Sequence, residues 1–165
     1  MKIGVISDTH GHLDPKIFDY FKGCDELWHA GDVGDVAIIE ALAQFKPLQA
    51  VSGNIDGTAL RNICPEDLHF VRGGLKVFLT HIAGKPPLFN PRVRRVIKEK
   101  TPDIVVCGHT HILRVLRHEG LFYLNPGAAG YYGFHTVRTL IRFTIAKGKM
   151  SQMEVVELGP NRRAV

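Results

Sequence analysis

Residues 2–10 read Lys-Ile-Gly-Val-Ile-Ser-Asp-Thr-His, a short apolar run that ends on a carboxylate and an imidazole. Four later stretches repeat that design. Residues 26–30 run into Gly31-Asp32, 48–52 into Gly53-Asn54, 76–80 into Thr80-His81, and 104–107 into Gly108-His109-Thr110-His111. Apolar runs of this length, bounded by turn residues, predict strands. In α/β sheets, ligands gather beyond the carboxyl ends of the strands, and all five polar clusters fall there.

Between the strands the apolar spacing changes to that of helices. Asp14-Pro15 opens a stripe of Ile17, Phe18 and Phe21, and Asp35 precedes Val36, Ile38, Ile39 and Leu42, as a helix cap would. Residues 56–62 predict one or two helical turns before Pro65. Pro91 starts a helix with Val93, Val96 and Ile97 after a loop holding Pro86-Pro87. Residues 68–71 and 76–80 flank Gly73-Gly74 as a hairpin. From Ile112 the chain becomes a meander, with strands over 113–118, 121–125, 136–146 and 149–158 and tight turns at Glu119-Gly120 and Lys147-Gly148. The predicted class is α/β, with two packed sheets forming a β-sandwich flanked by helices.

A length of 165 residues suits one domain, over 1–158, followed by a basic tail over 159–165 that carries Arg162-Arg163. Hydrophobic residues make up 45% and charged residues 22%, which excludes a disordered chain. The apolar runs are too short to span a membrane, and Met1-Lys2 leads straight into the first strand, so the expected location is cytoplasmic. Cys24, Cys64 and Cys107 form no CxxC pair and read as buried thiols. A net charge of +5 is too small to make nucleic acid the expected partner. A homo-oligomer is compatible with the sequence.

Asp8, His10, Asp32, Asn54, His81, His109 and His111 are seven candidate donors, too many for one ion that also leaves a position for substrate. Imidazole, carboxylate and carboxamide without thiolate suit Mn, Fe, Zn or Ni. Two divalent ions about 3.5 to 4 Å apart are the arrangement used for in-line displacement at phosphorus, and Asp32 has the two oxygens needed to bridge them. Two such ions exceed the charge of Asp8 and Asp32, so the substrate is expected to be an anion.

The order Asp-x-His, Gly-Asp-x-x-Asp, Gly-Asn and Gly-His-x-His, from Asp8 to His111, resembles the calcineurin-like metallophosphoesterase superfamily. Asn125-Pro126-Gly127 resembles a segment of its small single-domain phosphodiesterase branch. The resemblance implies that Asp8, His10, Asp32 and His111 hold one ion, and Asp32, Asn54, His81 and His109 the other. It further implies Mn²⁺ in assays, a metal-bridging hydroxide that attacks phosphorus, and a phosphate-ester small molecule or nucleotide as substrate. Asn54 and His109 would then be catalytic as well as metal-binding. A same-fold alternative is a protein-interaction scaffold like the retromer subunit, which predicts a damaged ligand set.

Two departures stand out. Many members place a proton-donating His directly after Gly-Asn, whereas this chain has Ile55; such a donor contributes roughly 10² to 10⁴ in rate. His135, approached through Gly130-Tyr131-Tyr132-Gly133-Phe134, is the candidate substitute, unless the substrate has a good leaving group. The second departure is Ile82-Ala83, where relatives often continue with Gly and another His. Elsewhere plainer readings are preferred: His12 as an exposed loop residue, His29 as a satisfied buried imidazole, Asp35 as a cap, and Arg92, Arg94, Arg95, Lys98 and Lys100 as a solvated helix face.

Overall fold

The computed structural model describes residues 1–161, in the order β1 (Lys2–Ile6), α1 (Lys16–Phe21), β2 (Glu26–His29), α2 (Val36–Phe45), β3 (Leu48–Ala50) and α3 (Thr58–Ile63). Next come β4 (Asp67–Arg72), β5 (Leu75–Thr80), β6 (Gly84–Lys85), β7 (Leu88–Phe89), α4 (Pro91–Lys100) and β8 (Ile104–Val106). The chain closes with β9 (Arg114–His118), β10 (Leu121–Asn125), β11 (Val137–Ala146) and β12 (Lys149–Pro160). Two five-stranded sheets form, ordered β12-β11-β1-β2-β3 and β4-β5-β8-β10-β9. The expected two-sheet α/β architecture is the observed one. None of the described helices is long and apolar enough to cross a membrane.

Strand periodicity builds the layers. Ile3 and Val5 of β1 face the inter-sheet core with Trp28, Val77, Leu79, Ile104 and Val106. Alternate residues turn outward: Ile6 packs under α1 and α2 with Phe21, Ile38 and Leu42, and Phe78 and Val105 pack under α4 with Val93. Asp35 caps α2 as the sequence predicts, accepting from Ala37 N at 2.9 Å, and Asn90 caps α4, accepting from Val93 N at 2.8 Å, whereas α1 starts at Pro15 without a side-chain cap. All three cysteines are free and buried. Burial pushes the Cys107 thiol up to about 12, as befits an inert core thiol.

β1, β2 and β3 are mutually parallel, and so are β5, β8 and β10. Their carboxyl ends carry the five polar clusters. Two sequence expectations are corrected. The Pro86-Pro87 segment is a small hairpin of β6 and β7 with a cis bond, whose two-residue strands are too short to leave a pattern. The sequence places a tail from residue 159, yet Gly159 pairs with Arg138 and Pro160 with Val137. β12 is an edge strand, where Pro is tolerated. Asn161 is also buried; the remainder of the expected tail, 162–165, lies outside the described residues.

Candidate metal centre

The turns after β1, β2 and β8 are unusually bent. Asp8, His10, Asp32, His109 and His111 all have positive φ, between 47° and 68°. Non-glycine residues visit this left-handed region sparingly, and where they cluster the surrounding structure must hold them there. Gly31, Gly53 and Gly108 each stand directly before a donor, where a glycine is the usual source of a sharp turn. Only Gly31 supplies one by conformation, at φ +89. Gly53 and Gly108 supply room: a Cβ on Gly53 would fall 2.0 Å from Asp32 Oδ1, and one on Gly108 would fall 1.9 Å from Ser7 Oγ and 2.6 Å from Asp8 Oδ2.

These turns bring all seven candidate donors together. Ligand atoms of Asp8, His10 and His111 lie within 4.8 Å of one another, as do those of Asp32, His81 and His109. His111 Nε2 is 3.2 Å from Asp8 Oδ1, and His10 Nε2 is 3.2 Å from His111 Nε2. Asp32 faces both groups, with Oδ1 at 3.2 Å from His81 Nε2 and Oδ2 at 3.6 Å from His10 Nε2. Asn54 Oδ1 is 3.1 Å from His81 Nε2.

The donor chemistry fits a pair of cations. Asp8 and Asp32 are almost fully buried and meet imidazoles but no Lys or Arg among the described residues. Buried carboxylates need a positive partner. His81 Nδ1–H donates to Ala30 O at 2.7 Å, which leaves Nε2 to face Asp32 and Asn54 with a lone pair. A carbonyl of this kind behind an imidazole is the usual support of a metal-binding histidine. Burial would lower the His81 pKa, but the Asp32 carboxylate outweighs it and the pKa is raised. Burial likewise works to raise Asp32, and His81 against it pulls its pKa down. Burial lowers His10 and His109, keeping both as neutral imidazoles near pH 7.

Supporting residues fix these donors, and sequence reasoning missed two of them. Asp56 accepts three backbone N–H groups, from Gly53 at 2.7 Å, Gly34 at 2.9 Å and Val33 at 3.1 Å, so one buried carboxylate ties the Asp32 loop to the Asn54 loop. Asn125 Nδ2 donates to Gly108 O at 2.7 Å and to Thr110 Oγ1 at 3.1 Å, bracing the turn of His109. The Asn-Pro-Gly triplet is the only signal for it. His29, expected to be buried and satisfied, accepts from Gly31 N through Nδ1 at 3.2 Å and donates from Nε2 to Thr9 Oγ1 at 3.0 Å. Burial lowers its pKa to about 4, so this link between two donor loops is neutral.

His135 lines the same cavity as His10, Asn54, His109 and His111, about 390 Å³ in volume. Its ring lies 5.3 Å from that of His111, and its Nε2–H donates to Gly130 O at 3.0 Å. Burial lowers its pKa. A second cavity of about 530 Å³ opens on the other side, against Asn54 and His81. Arg61 and Arg92 line it. Arg92, expected on a solvated face, instead pairs with Asp67 and donates to Thr80 Oγ1 at 3.1 Å. His12, expected to be exposed, is half-buried, its ring tilted against that of Tyr131 at 4.5 Å.

A model of the calcineurin-like phosphoesterase superfamily domain matches residues 1–148. The chain belongs to the calcineurin-like phosphoesterase superfamily. A superfamily relative, a probable metallophosphoesterase of Methanothermobacter thermautotrophicus, is 31% identical over 136 residues, covering 78% of this chain and 77% of that protein. The solved structure of an archaeal phosphodiesterase superposes with a TM-score of 0.73 at 25% identity, covering 94% of this chain and 100% of that one. A single mutant of Vps29 from Entamoeba histolytica gives a TM-score of 0.74 at 20% identity over 96% of this chain and 100% of that one, a likeness of fold. Membership places the chain in a family of phosphoesterases that use divalent metals, and the two donor groups are where this chain can hold them.

Proposed function

We propose that this protein is a dinuclear metal-dependent phosphodiesterase acting on small phosphate esters, with Mn²⁺ as the ion of choice for reconstitution and Fe, Zn or Ni as compatible ions. The observation that carries the reading is Asp32, one buried carboxylate turned toward both donor groups. Asp8, His10, Asp32 and His111 would hold one ion, and Asp32, Asn54, His81 and His109 the other. Bound there, the ions would bring the pKa of water toward neutrality and neutralise charge on the phosphoryl oxygens.

The chain's own residues supply position and exclusion. Asn54 turns Oδ1 toward His81 and keeps its Nδ2 donors for a phosphoryl oxygen, which fixes the ester for in-line attack. His109 is proposed to work in the same way from the same donor group as Asn54, held by its backbone N–H to the Asp8 carboxylate at 3.1 Å. Ile55 has no proton to give, so a good leaving group is favoured. His135 is the proposed donor for poorer ones, on condition that its Nε2–H leaves Gly130 O. Equal rates of wild type and His135→Ala on an alkyl ester would remove it from that role.

The reading is supported by a complete donor set. The scaffold alternative predicts that one or more of these groups would be lost, and likeness of fold to Vps29 says nothing on that point. The test is Mn²⁺ reconstitution followed by assay on bis-aryl, mono-aryl and cyclic-nucleotide phosphates, beside Asp32→Ala and His109→Ala. Metal-dependent turnover that both substitutions abolish is expected. Bound metal without turnover of any ester would overturn the enzyme reading.

A further inference from the structure

Of the large apolar side chains exposed to water, four meet at one place. Ile55, Ile112, Tyr132 and Phe134 line the same cavity of about 390 Å³ as His10, Asp32 and His109. Phe134 is fully exposed, Tyr132 is 61% exposed, and Ile112 and Ile55 are 56% and 45% exposed. None of the four contributes to the core, so stability does not explain them. A patch of apolar groups that rims a site of concentrated charge marks a place where a ligand is bound.

The rim is held in place. Gly130 N donates to Asp8 O at 3.0 Å, and Tyr131 packs 4.1 Å from the Arg138 guanidinium. Asn161, at the end of β12, donates to Gly133 O at 3.1 Å and to His135 O at 3.0 Å. Gly133 sits so close above His111 that a Cβ would fall 2.1 Å from Nδ1. The Tyr132 ring lies 4.9 Å from the His10 ring. The aromatic pair is thus anchored at the edge of the donor cluster, within one ring's reach of it.

We propose that this rim selects phosphate esters whose alcohol is a planar apolar group, seated against Tyr132 and Phe134 while the phosphoryl group faces the buried donors. The inference rests on the phosphoesterase reading above and narrows its substrate class. Stacked rings gain from both burial and quadrupole alignment. A volume of about 390 Å³ accommodates an arylphosphate and falls within the range of small-molecule sites. Ile55 fits the same chemistry: an aryloxide is a stable anion above about pH 10, where phenols ionise, so it departs with less need of a proton than an alkoxide.

Two readouts test the rim, on metal-loaded wild type, Tyr132→Ala, Phe134→Ala and the double variant. Val71→Ala, exposed on β4 outside this cavity, serves as control. The first readout is calorimetric affinity for phenylphosphonate against methylphosphonate. Wild type and control are expected to prefer the phenyl compound by about tenfold, equivalent to about 1.4 kcal/mol. In the double variant the preference should fall below about threefold, with methylphosphonate affinity unchanged within twofold. The second is kcat/KM for two esters whose leaving alcohols ionise at similar pH, one a phenol and one a small fluorinated alkyl alcohol. The phenyl preference should collapse in the variants through KM. Equal affinity of wild type for the two phosphonates, or a preference that survives the double substitution, would overturn the rim. Selective phosphonate binding without hydrolysis of either ester would sink the phosphoesterase reading and leave the rim standing. Hydrolysis of both esters without discrimination would do the reverse.

Discussion

Replacing Asp56 by Ala should be among the most damaging single changes outside the donor set. The residue is 2% exposed, and its carboxylate accepts three backbone N–H groups from two loops. Each orphaned buried donor costs about 1 to 3 kcal/mol, and water entering the vacated space recovers part of it, so the expected loss is about 3 to 5 kcal/mol. Asp56→Asn keeps one acceptor oxygen but turns an NH₂ toward a backbone N–H, and should lose about half as much. Asp32 and Asn54 sit on the two loops that Asp56 ties together. Metal affinity should therefore fall about 10- to 100-fold, the usual effect of removing a group that orients ligands. Urea unfolding of the metal-free proteins measures the first quantity and calorimetric Mn²⁺ titration the second. A loss below about 1 kcal/mol with Mn²⁺ affinity within about twofold of wild type would mean that Asp56 does not hold the two loops.

Three further outcomes follow from the same geometry. His29 is neutral in the fold with a pKa of about 4, while the unfolded imidazole binds a proton near its ordinary value, so stability is full above about pH 6.5 and declines as pH falls toward 4. The decline attributable to His29 is about 3 kcal/mol, and His29→Gln should flatten the acid limb of a urea-melt series by that amount; an unchanged limb speaks against the assignment. Gly108→Ala forces a methyl onto Ser7 and the Asp8 carboxylate and should cost about 1 to 3 kcal/mol along with most of the metal affinity, read by thermal melts and titration. Asn161→Ala removes the clamp on the rim loop, so amide exchange at 131–135 should accelerate while the β1 and β2 amides stay protected.

The sequence conveys the positions of the donors because each cluster stands just after a short strand, where an apolar run stops at a carboxylate, carboxamide or imidazole. It conveys the layers for a related reason: alternation such as Val77, Phe78, Leu79 sends neighbours to opposite sides of a sheet. Asp56 is illegible there because its three partners belong to chain segments that only the fold brings together. The backbone of the donors is also hidden. The glycines draw attention as turn formers, whereas the left-handed turns fall on Asp8, His10, Asp32, His109 and His111 themselves, and Gly53 and Gly108 are needed for the space they leave. Gly159-Pro160 reads as the start of a frayed end because local propensity opposes a strand; pairing to Arg138 and Val137 at a sheet edge overrides it. The apolar rim has no pattern to betray it, since Ile55, Ile112, Tyr132 and Phe134 lie on three separate loops.

If two ions share the Asp32 carboxylate, counting them is decisive. Mn²⁺ bound per chain should be measured by equilibrium dialysis with elemental analysis, for wild type and Asp32→Ala. Two ions per wild-type chain are expected, with weakened binding of both in Asp32→Ala. A single ion in wild type, or two ions held with unchanged affinity by Asp32→Ala, would rule out the shared carboxylate.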